Sequence, residues 1–319
     1  MAGANLPAKK YKHSNPTITR LQFDMSGGDT EFIDIGMALS ILNRKFYRQG
    51  VYYYVNSIEV YNAEEGAIDF HTIPDNWVTK NAWKRGLKTY AKMNALVDEV
   101  SQVGRPKYHD FKVYMSALHR TNGTVSPELC GINQATQNMP ADEWQHSLFT
   151  SADDDQDGNA NADEFYVHML GPHSGSSGNW TSIGLINSYR NSRPLPITAG
   201  EPNQPASAPT DPLISIFDFS SEEQMNDIIE NLDWINDETP YDHDLYVGES
   251  DNNMQHVARI ATDANLGRVG RASGFCVPFG LLCVDPLPGA NGQPGITTSF
   301  RVTLNLAVGT YHGVYAERA

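Results

Sequence analysis

VYYYVNSIEVYN (51–62) and GAIDFHTI (66–73), separated by the polar Ala63-Glu64-Glu65, decide the fold class. Both are dense in β-branched and aromatic residues, which suit a pleated, half-buried surface, so they read as two strands joined by a turn. Upstream, TITRLQFDM (17–25) carries Ile18, Leu21, Phe23 and Met25 as its apolar members and reads as a further strand ahead of a Ser26-Gly27-Gly28-Asp29 turn. Between them, Phe32, Ile35, Leu39, Leu42 and Phe46 recur at three and four residues, which predicts a helix over 31–46 that ends near Gly50. A longer helix is expected from about Asp75 to Val100, with Asp75 or Asn76 as N-cap. Trp83, Leu87, Tyr90 and Val97, helped by Ala91, form its expected apolar face.

After residue 107 strands dominate. They are expected at 108–118, 143–152, 164–171, 213–219, 255–262, 271–277, 280–286 and 299–314, with short helices at 181–190 and 221–235. The proline-rich stretch 191–212 has no hydrophobic periodicity and reads as an exposed loop. Residues 1–16 are polar, contain three lysines and read as a short, weakly basic arm; residues 17–319 then form the main domain. Many strands with occasional helical connections predict an all-β sandwich or barrel rather than a βαβ fold.

Composition narrows the function. Of 319 residues, 40% are hydrophobic and only 19% charged, which excludes a disordered chain and a coiled coil. The longest near-apolar run, Phe275 to Val284, is ten residues and contains a proline and a glycine. A membrane span needs about 20 apolar residues, so none is expected. The first 20 residues do not read as a secretory signal. Cys130, Cys276 and Cys283 are too few for a disulfide framework. Cys276 and Cys283 flank the Pro278–Gly280 turn, where they could face each other across a hairpin as reduced core thiols.

Net charge is −15, unevenly placed: residues 1–120 hold 16 Lys+Arg against 12 Asp+Glu, and residues 121–319 hold 7 against 26. Such asymmetry marks either a basic surface facing nucleic acid or an acidic protein whose lysines happen to cluster. Lys80, Lys84, Lys88 and Lys92 recur every four residues and so share one helix face. That row is either a phosphate-facing rail or an ordinary solvated face.

There is no G-x-S-x-G elbow, Walker loop, G-x-G-x-x-G or H-E-x-x-H, so no enzyme is expected. His168 and His173 read as two unrelated histidines, and Asp242-His243-Asp244 as a solvated turn rather than a metal site. Asn122-Gly123-Thr124 and Asn179-Trp180-Thr181 fit the glycosylation pattern and are expected to be unused. One motif fits a template. Asp153, Asp155, Asp157, Gly158 and Glu164 match D-x-D-x-D-G-x5-E, the calcium loop of EF-hands, with Asn159 offering a backbone carbonyl and Glu164 a bidentate carboxylate. Ala160 and the strand-like flanks 143–152 and 164–171 depart from that template. The alternative to a Ca2+ site is a solvated acidic turn.

Six segments carry a family resemblance: NRKFYRQG (43–50), PDNWVTKNAWKRG (74–86), EFYVHMLG (164–171), SIGLINSYRNSR (182–193), PYDHDLY (240–246) and GTYHGVYAERA (309–319). In their order and spacing they resemble capsid (coat) proteins of small circular Rep-encoding single-stranded DNA viruses. The resemblance implies a single jelly-roll β-sandwich, two four-stranded antiparallel sheets with helical insertions between strands. It also implies a structural protein of the virion, assembled inside a host cell from copies of itself into an icosahedral shell around a genome of single-stranded DNA. The receptor is not implied. Many such proteins begin with a long arginine-rich arm, whereas here only Lys9, Lys10, Lys12 and Arg20 are available in the first 20 residues. These four, with Lys80, Lys84 and Lys88, are the candidate nucleic-acid-facing set. The rival reading is a soluble jelly-roll carbohydrate-binding, lectin-like module using the acidic loop, with Trp144, Trp180 and Trp234 stacking on sugars. A cupin-type enzyme ranks behind both, because the H-x-H metal set is missing.

Overall fold

The computed structural model describes residues 17–100, 110–130, 136–140, 144–150, 164–176, 179–192, 240–242, 245–262, 268–287 and 295–318. The chain divides into two compact units, residues 1–190 with 247–319 and residues 191–246; the architecture below is that of the first. In chain order the elements are β1 (Arg20–Met25), β2 (Glu31–Asp34), α1 (Ile35–Asn43), β3 (Val51–Tyr61), β4 (Gly66–Thr72), α2 (Trp77–Val100), β5 (Tyr114–Ser116), α3 (Ala117–Asn122), β6 (Glu128–Cys130), β7 (Thr136–Asn138), β8 (Leu148–Thr150), β9 (Glu164–Leu170), β10 (Ser174–Ser176), β11 (Asn179–Gly184), α4 (Leu185–Asn191), β12 (Gln255–Thr262), β13 (Val269–Val277), a 3-10 turn (Pro278–Gly280), β14 (Leu281–Pro286), β15 (Phe300–Leu306), β16 (Val308–Tyr311) and β17 (Ala316–Arg318).

The fold is an all-β sandwich. One antiparallel sheet runs β1-β15-β3-β13, with β17 also on β3, and the other runs β12-β4-β14-β2. Alternation explains the layers. On β1, Leu21, Phe23 and Met25 are buried while Arg20 is exposed and Gln22 and Asp24 are half-exposed. These residues share one core with Ile58, Val60, Val302 and Leu304 of their own sheet and with Ile33, Ile68, Phe70, Ile260, Leu282 and Val284 of the other. Burying a large aliphatic or aromatic side chain contributes about 1.5–3 kcal/mol, so this interior dominates stability. Each outward face carries a cross-strand ion pair held by two hydrogen bonds: Arg301 to Asp24 at 2.5 and 2.9 Å, and Arg259 to Asp69 at 2.6 and 2.6 Å.

Several boundaries differ from expectation. The helix expected over 31–46 begins only at Ile35, because Glu31–Asp34 pairs with β14 and Asp34 then caps the helix by accepting from the Met37 N–H at 3.0 Å. Arg44, at φ 52, ends it before Phe46. Residues 17–19 precede the first strand; there the Asn43 side chain bonds both the N–H and the carbonyl of Ile18. Of the strand expected at 108–118, residues 110–118 are described, and among them only Tyr114–Ser116 is a strand, since Ser116 caps α3 through the His119 N–H. The helix expected at 181–190 starts at Leu185, after β11. The strand expected at 299–314 breaks at Ala307, whose N–H turns to the Tyr54 carbonyl and whose carbonyl accepts from Tyr315. Segments 213–219 and 221–235 lie outside the described residues.

Cys276 and Cys283 do not face each other across a hairpin. The Pro278–Gly280 turn carries the chain from β13 in one sheet to β14 in the other, so the two free thiols lie in opposite sheets. Phe279 and Gly280 both adopt positive φ, 57° and 71°, and a Cβ on Gly280 would meet the Tyr53 ring at 3.1 Å. The crossing therefore needs glycine.

A further sheet, β10-β11-β9-β5 with β8 also on β9, occupies the chain between the two halves of the sandwich. Its β9 pairs parallel with both β11 and β5. Helix α2 is capped by Asn76, which accepts from the Thr79 N–H at 2.9 Å. Its buried stripe is Val78, Thr79, Ala82, Trp83 and Gly86. Trp83 packs against Phe279 and Phe111, with ring centroids 4.7 and 4.8 Å away. Leu87, expected on the apolar face, is 40% exposed. No helix among the described residues is long and apolar enough to cross a membrane.

Candidate nucleic-acid interface

The outward face of the first sheet gathers cations from three strands, β1, β15 and β13, and from Arg268 just ahead of β13. Strand register aligns Gln22, Thr303, Glu59 and Arg271 in one row and Asp24, Arg301, Tyr61 and Val269 in the next. Glu59 is almost fully buried and accepts from Arg271, from Arg20 at 3.0 Å and from the Tyr61 hydroxyl at 3.2 Å. Arg271, ahead of the other neighbours, holds its carboxyl below the usual range. Asp24 is likewise held low, chiefly by Arg301. Glu128 goes the other way: burial and the hydrogen bond to Asp24 push it up to about 7. Beside these rows lies a concavity of about 500 Å3 lined by Arg20, Asp24, Tyr61, Arg268 and Arg301 among others. With Arg271 in the adjoining row, four arginines stand here against Asp24 and Glu59. This face has the chemistry to meet phosphate oxygens, for which arginine's planar fork is suited.

The candidate residues do not converge on one site. Arg20 lines that concavity and is tied to Glu59. Lys80 sits on α2, 2.9 Å from Asp75 and 5.2 Å above the Tyr52 ring, and so braces the start of the helix. Lys84 and Lys88 are exposed, and Lys84 borders a different cleft. Lys9, Lys10 and Lys12 lie outside the described residues. Arg268, Arg271 and Arg301 were not singled out in the sequence. The available signal was alternation: in SFRVTL and in RASGFCV each arginine occupies the polar phase of a strand.

The acidic motif has strand flanks. β8 and β9 pair antiparallel, Thr150 opposite Glu164 and Leu148 opposite Tyr166, so residues 151–163 connect two paired strands rather than two helices. Glu164 is the exposed first residue of β9, while Asp153, Asp155, Asp157 and Asn159 lie outside the described residues. Among the described residues, no three His, Cys, Asp or Glu side chains converge as metal ligands would. His168 is satisfied by the Ser182 hydroxyl at 2.6 Å and the Pro172 carbonyl at 3.0 Å, and His173 Nδ1 accepts from the Gly184 N–H. These two histidines tie the turn between β9 and β10 to strand β11. Of the tryptophans, Trp144 has Lys112 4.8 Å above its ring, Trp180 meets His173 edge-on, and Trp234 lies outside the described residues.

Several titratable groups are buried. Asp34 is fully buried, and burial pushes it up to about 6 against the bonds from Met37 and Gln49. His146 stacks on Tyr114 at 3.7 Å and is pushed down to about 3 by burial and then by Lys112. Burial also lowers His168 to about 4 and His119 well below its ordinary value. The Met115 N–H donates to His119 Nδ1 at 2.9 Å, which leaves the proton on Nε2, facing Thr124.

Compared with known proteins, the chain matches no family model, no curated protein and no solved structure.

Proposed function

We propose that this chain is a single jelly-roll coat subunit that assembles with copies of itself into a closed shell around single-stranded DNA. One observation carries the reading, the order of the sandwich strands. Counted along the chain, β1, β2, β3, β4, β12, β13, β14 and β15 take the order one-eight-three-six in one sheet and two-seven-four-five in the other. Strand one pairs with eight, two with seven, three with six and four with five. A chain that doubles back as one long antiparallel hairpin and then rolls up produces this pairing, and that is the construction of a jelly roll. The connections between sandwich strands carry helices, as the family resemblance implies, and the connection from β4 to β12 also carries the extra sheet. The arginine-bearing sheet face supports an orientation in which that face meets the genome, since phosphate neutralisation is the sequence-independent part of nucleic-acid binding.

Size-exclusion chromatography and negative-stain imaging of the purified full chain test this directly. The expected result is closed particles of uniform diameter containing tens of subunits. A chain that stays monomeric or forms only small oligomers across salt and concentration would overturn it.

A further inference from the structure

A second cleft, of about 790 Å3, lies between α2, the loop before β3 and the β16–β17 turn. Clefts that hold small organic ligands run to roughly 300–1,000 Å3. Its walls combine three cations, Arg48, Lys84 and Arg318, with three rings, Phe46, Tyr311 and His312. All three cations and His312 are exposed, and Phe46 and Tyr311 are half-buried.

The cleft brings these three cations together beside aromatic rings. Six other surface cations are paired with carboxylates: Arg301 with Asp24, Arg20 and Arg271 with Glu59, Arg259 with Asp69, Arg190 with Glu249 and Lys80 with Asp75. Among the described residues, no carboxylate pairs with Arg48, Lys84 or Arg318. One acid, Glu317, shares the lining, and its carboxylate accepts from the Tyr315 hydroxyl at 2.6 Å. Several contacts also fix the walls. The Arg48 N–H donates to the Tyr311 hydroxyl at 3.1 Å, and the His312 carbonyl accepts from Tyr47 and Thr17 at 2.9 and 2.7 Å. Trp83 forms the floor, and a Cβ on Gly50 would meet its ring at 2.7 Å. The cleft is thus a rigid recess with unspent positive charge at its rim and aromatic faces within it. Single-stranded nucleic acid offers the complement, anionic phosphates joined to flat bases.

We propose that this cleft binds single-stranded nucleic acid without sequence preference, phosphates on Lys84, Arg48 and Arg318 and a base against the Phe46, Tyr311 and His312 rings. The proposal rests on the coat-subunit reading and adds to it a discrete site, apart from the arm and the sheet face.

Fluorescence anisotropy with 5′-fluorescein-labelled dT10 tests it, using full-length protein across 50–200 mM NaCl. Single-strand binding loses about 0.7 in the log–log salt slope for each phosphate contact removed. Lys84→Ala and Arg318→Ala are each expected to flatten the slope by about that amount. Lys84→Glu/Arg318→Glu is expected to weaken binding at least tenfold, roughly, by turning attraction into repulsion. Gln255→Glu, exposed on β12 of the other sheet and outside the cleft lining, is the control and should change affinity less than about twofold. Inorganic polyphosphate of equal charge should compete less well than unlabelled dT10; equal competition would reduce the cleft to a general anion surface and overturn the proposal. Imaging of the same variants separates the two readings. Particles that form with unchanged nucleic-acid content and unchanged dT10 affinity sink the cleft and leave the coat subunit standing. Cleft-dependent dT10 binding by a wild-type chain that never forms particles sinks the coat reading alone. Loss of particles in the double variant with dT10 affinity intact would make the cleft a contact for a second copy of this chain.

Discussion

His146, His168 and His119 are buried neutral, and burial keeps each below the ordinary histidine value. The unfolded chain therefore binds more protons than the folded one below about pH 6.5, and stability falls as pH drops from there toward the folded values. Each pKa unit corresponds to about 1.4 kcal/mol, so the displacement of His146 from 6.5 to about 3 outweighs the opposite effect of Asp34, raised from 3.8 to about 6. Asp34 favours the fold at low pH and loses that advantage as pH rises between about 4 and 6. Glu128, raised to about 7, and Glu31 act in the same sense as Asp34. With His71 and His173, however, the lowered histidines among the described residues number five against three raised carboxyls, so the melting temperature is expected to fall from pH 7 to pH 4.5. His146→Phe keeps the ring on Tyr114 and removes the titration, and His146 Nε2 has no hydrogen-bond partner to lose. That variant should show a shallower acid profile by differential scanning calorimetry; an unchanged profile would remove His146 from the account. None of this was legible in the sequence, because a histidine's burial depends on which distant segments pack over it.

Helix α2 shows what periodicity does and does not give. The sequence placed the helix and its cap within two residues and assigned Trp83 to the buried face, but also assigned Leu87, which is exposed. The true stripe runs through Gly86, where a Cβ would stand 3.0 Å from Leu185 and 3.1 Å from Phe111. A residue without a side chain thus faces the interior while its large neighbour faces out, and hydrophobicity alone reads that pair backwards. Trp83→Ala should cost about 3–5 kcal/mol, as for other buried large aromatics. Lys84→Ala should stay within about 0.5 kcal/mol. Leu87→Ala should fall nearer to the lysine than to the tryptophan, since much of its surface is already in water. Urea denaturation of the three variants checks the order; equal losses for Trp83→Ala and Leu87→Ala would restore the original face. Helix α1 was misjudged for a related reason. Phe32 and Ile35 satisfy a helical spacing, yet Phe32 lies in a strand opposite Cys283, and the buried Asp34 carboxylate delays the helix until Ile35.

The sandwich itself was legible because β1, β3, β4, β12 and β15 are long enough for alternation to register. Their order was not, since pairing of first with last strand leaves no local mark. The extra sheet was only partly visible. Its β5, β8 and β10 are three residues each, and three residues hold too little pattern to separate a strand from a turn. That sheet also sets the frame for the acidic motif. An EF-hand loop is closed by two helices that bring a bidentate glutamate onto the ion. Here Glu164 begins a strand opposite Thr150, so its backbone is committed to the β8–β9 ladder. The carboxylates of the connection are then expected to act as screened surface charge, and any salt should affect them alike. A true site would stabilise the fold by RT ln(1 + [L]/Kd), about 2.7 kcal/mol at a hundredfold excess of calcium over Kd. Melting in calcium should therefore match melting in a chelator at equal ionic strength, for wild type and for Asp155→Asn/Asp157→Asn alike. A calcium-specific rise in the wild type that disappears in the double variant would show that a β-hairpin connection can hold the ion without EF-hand helices.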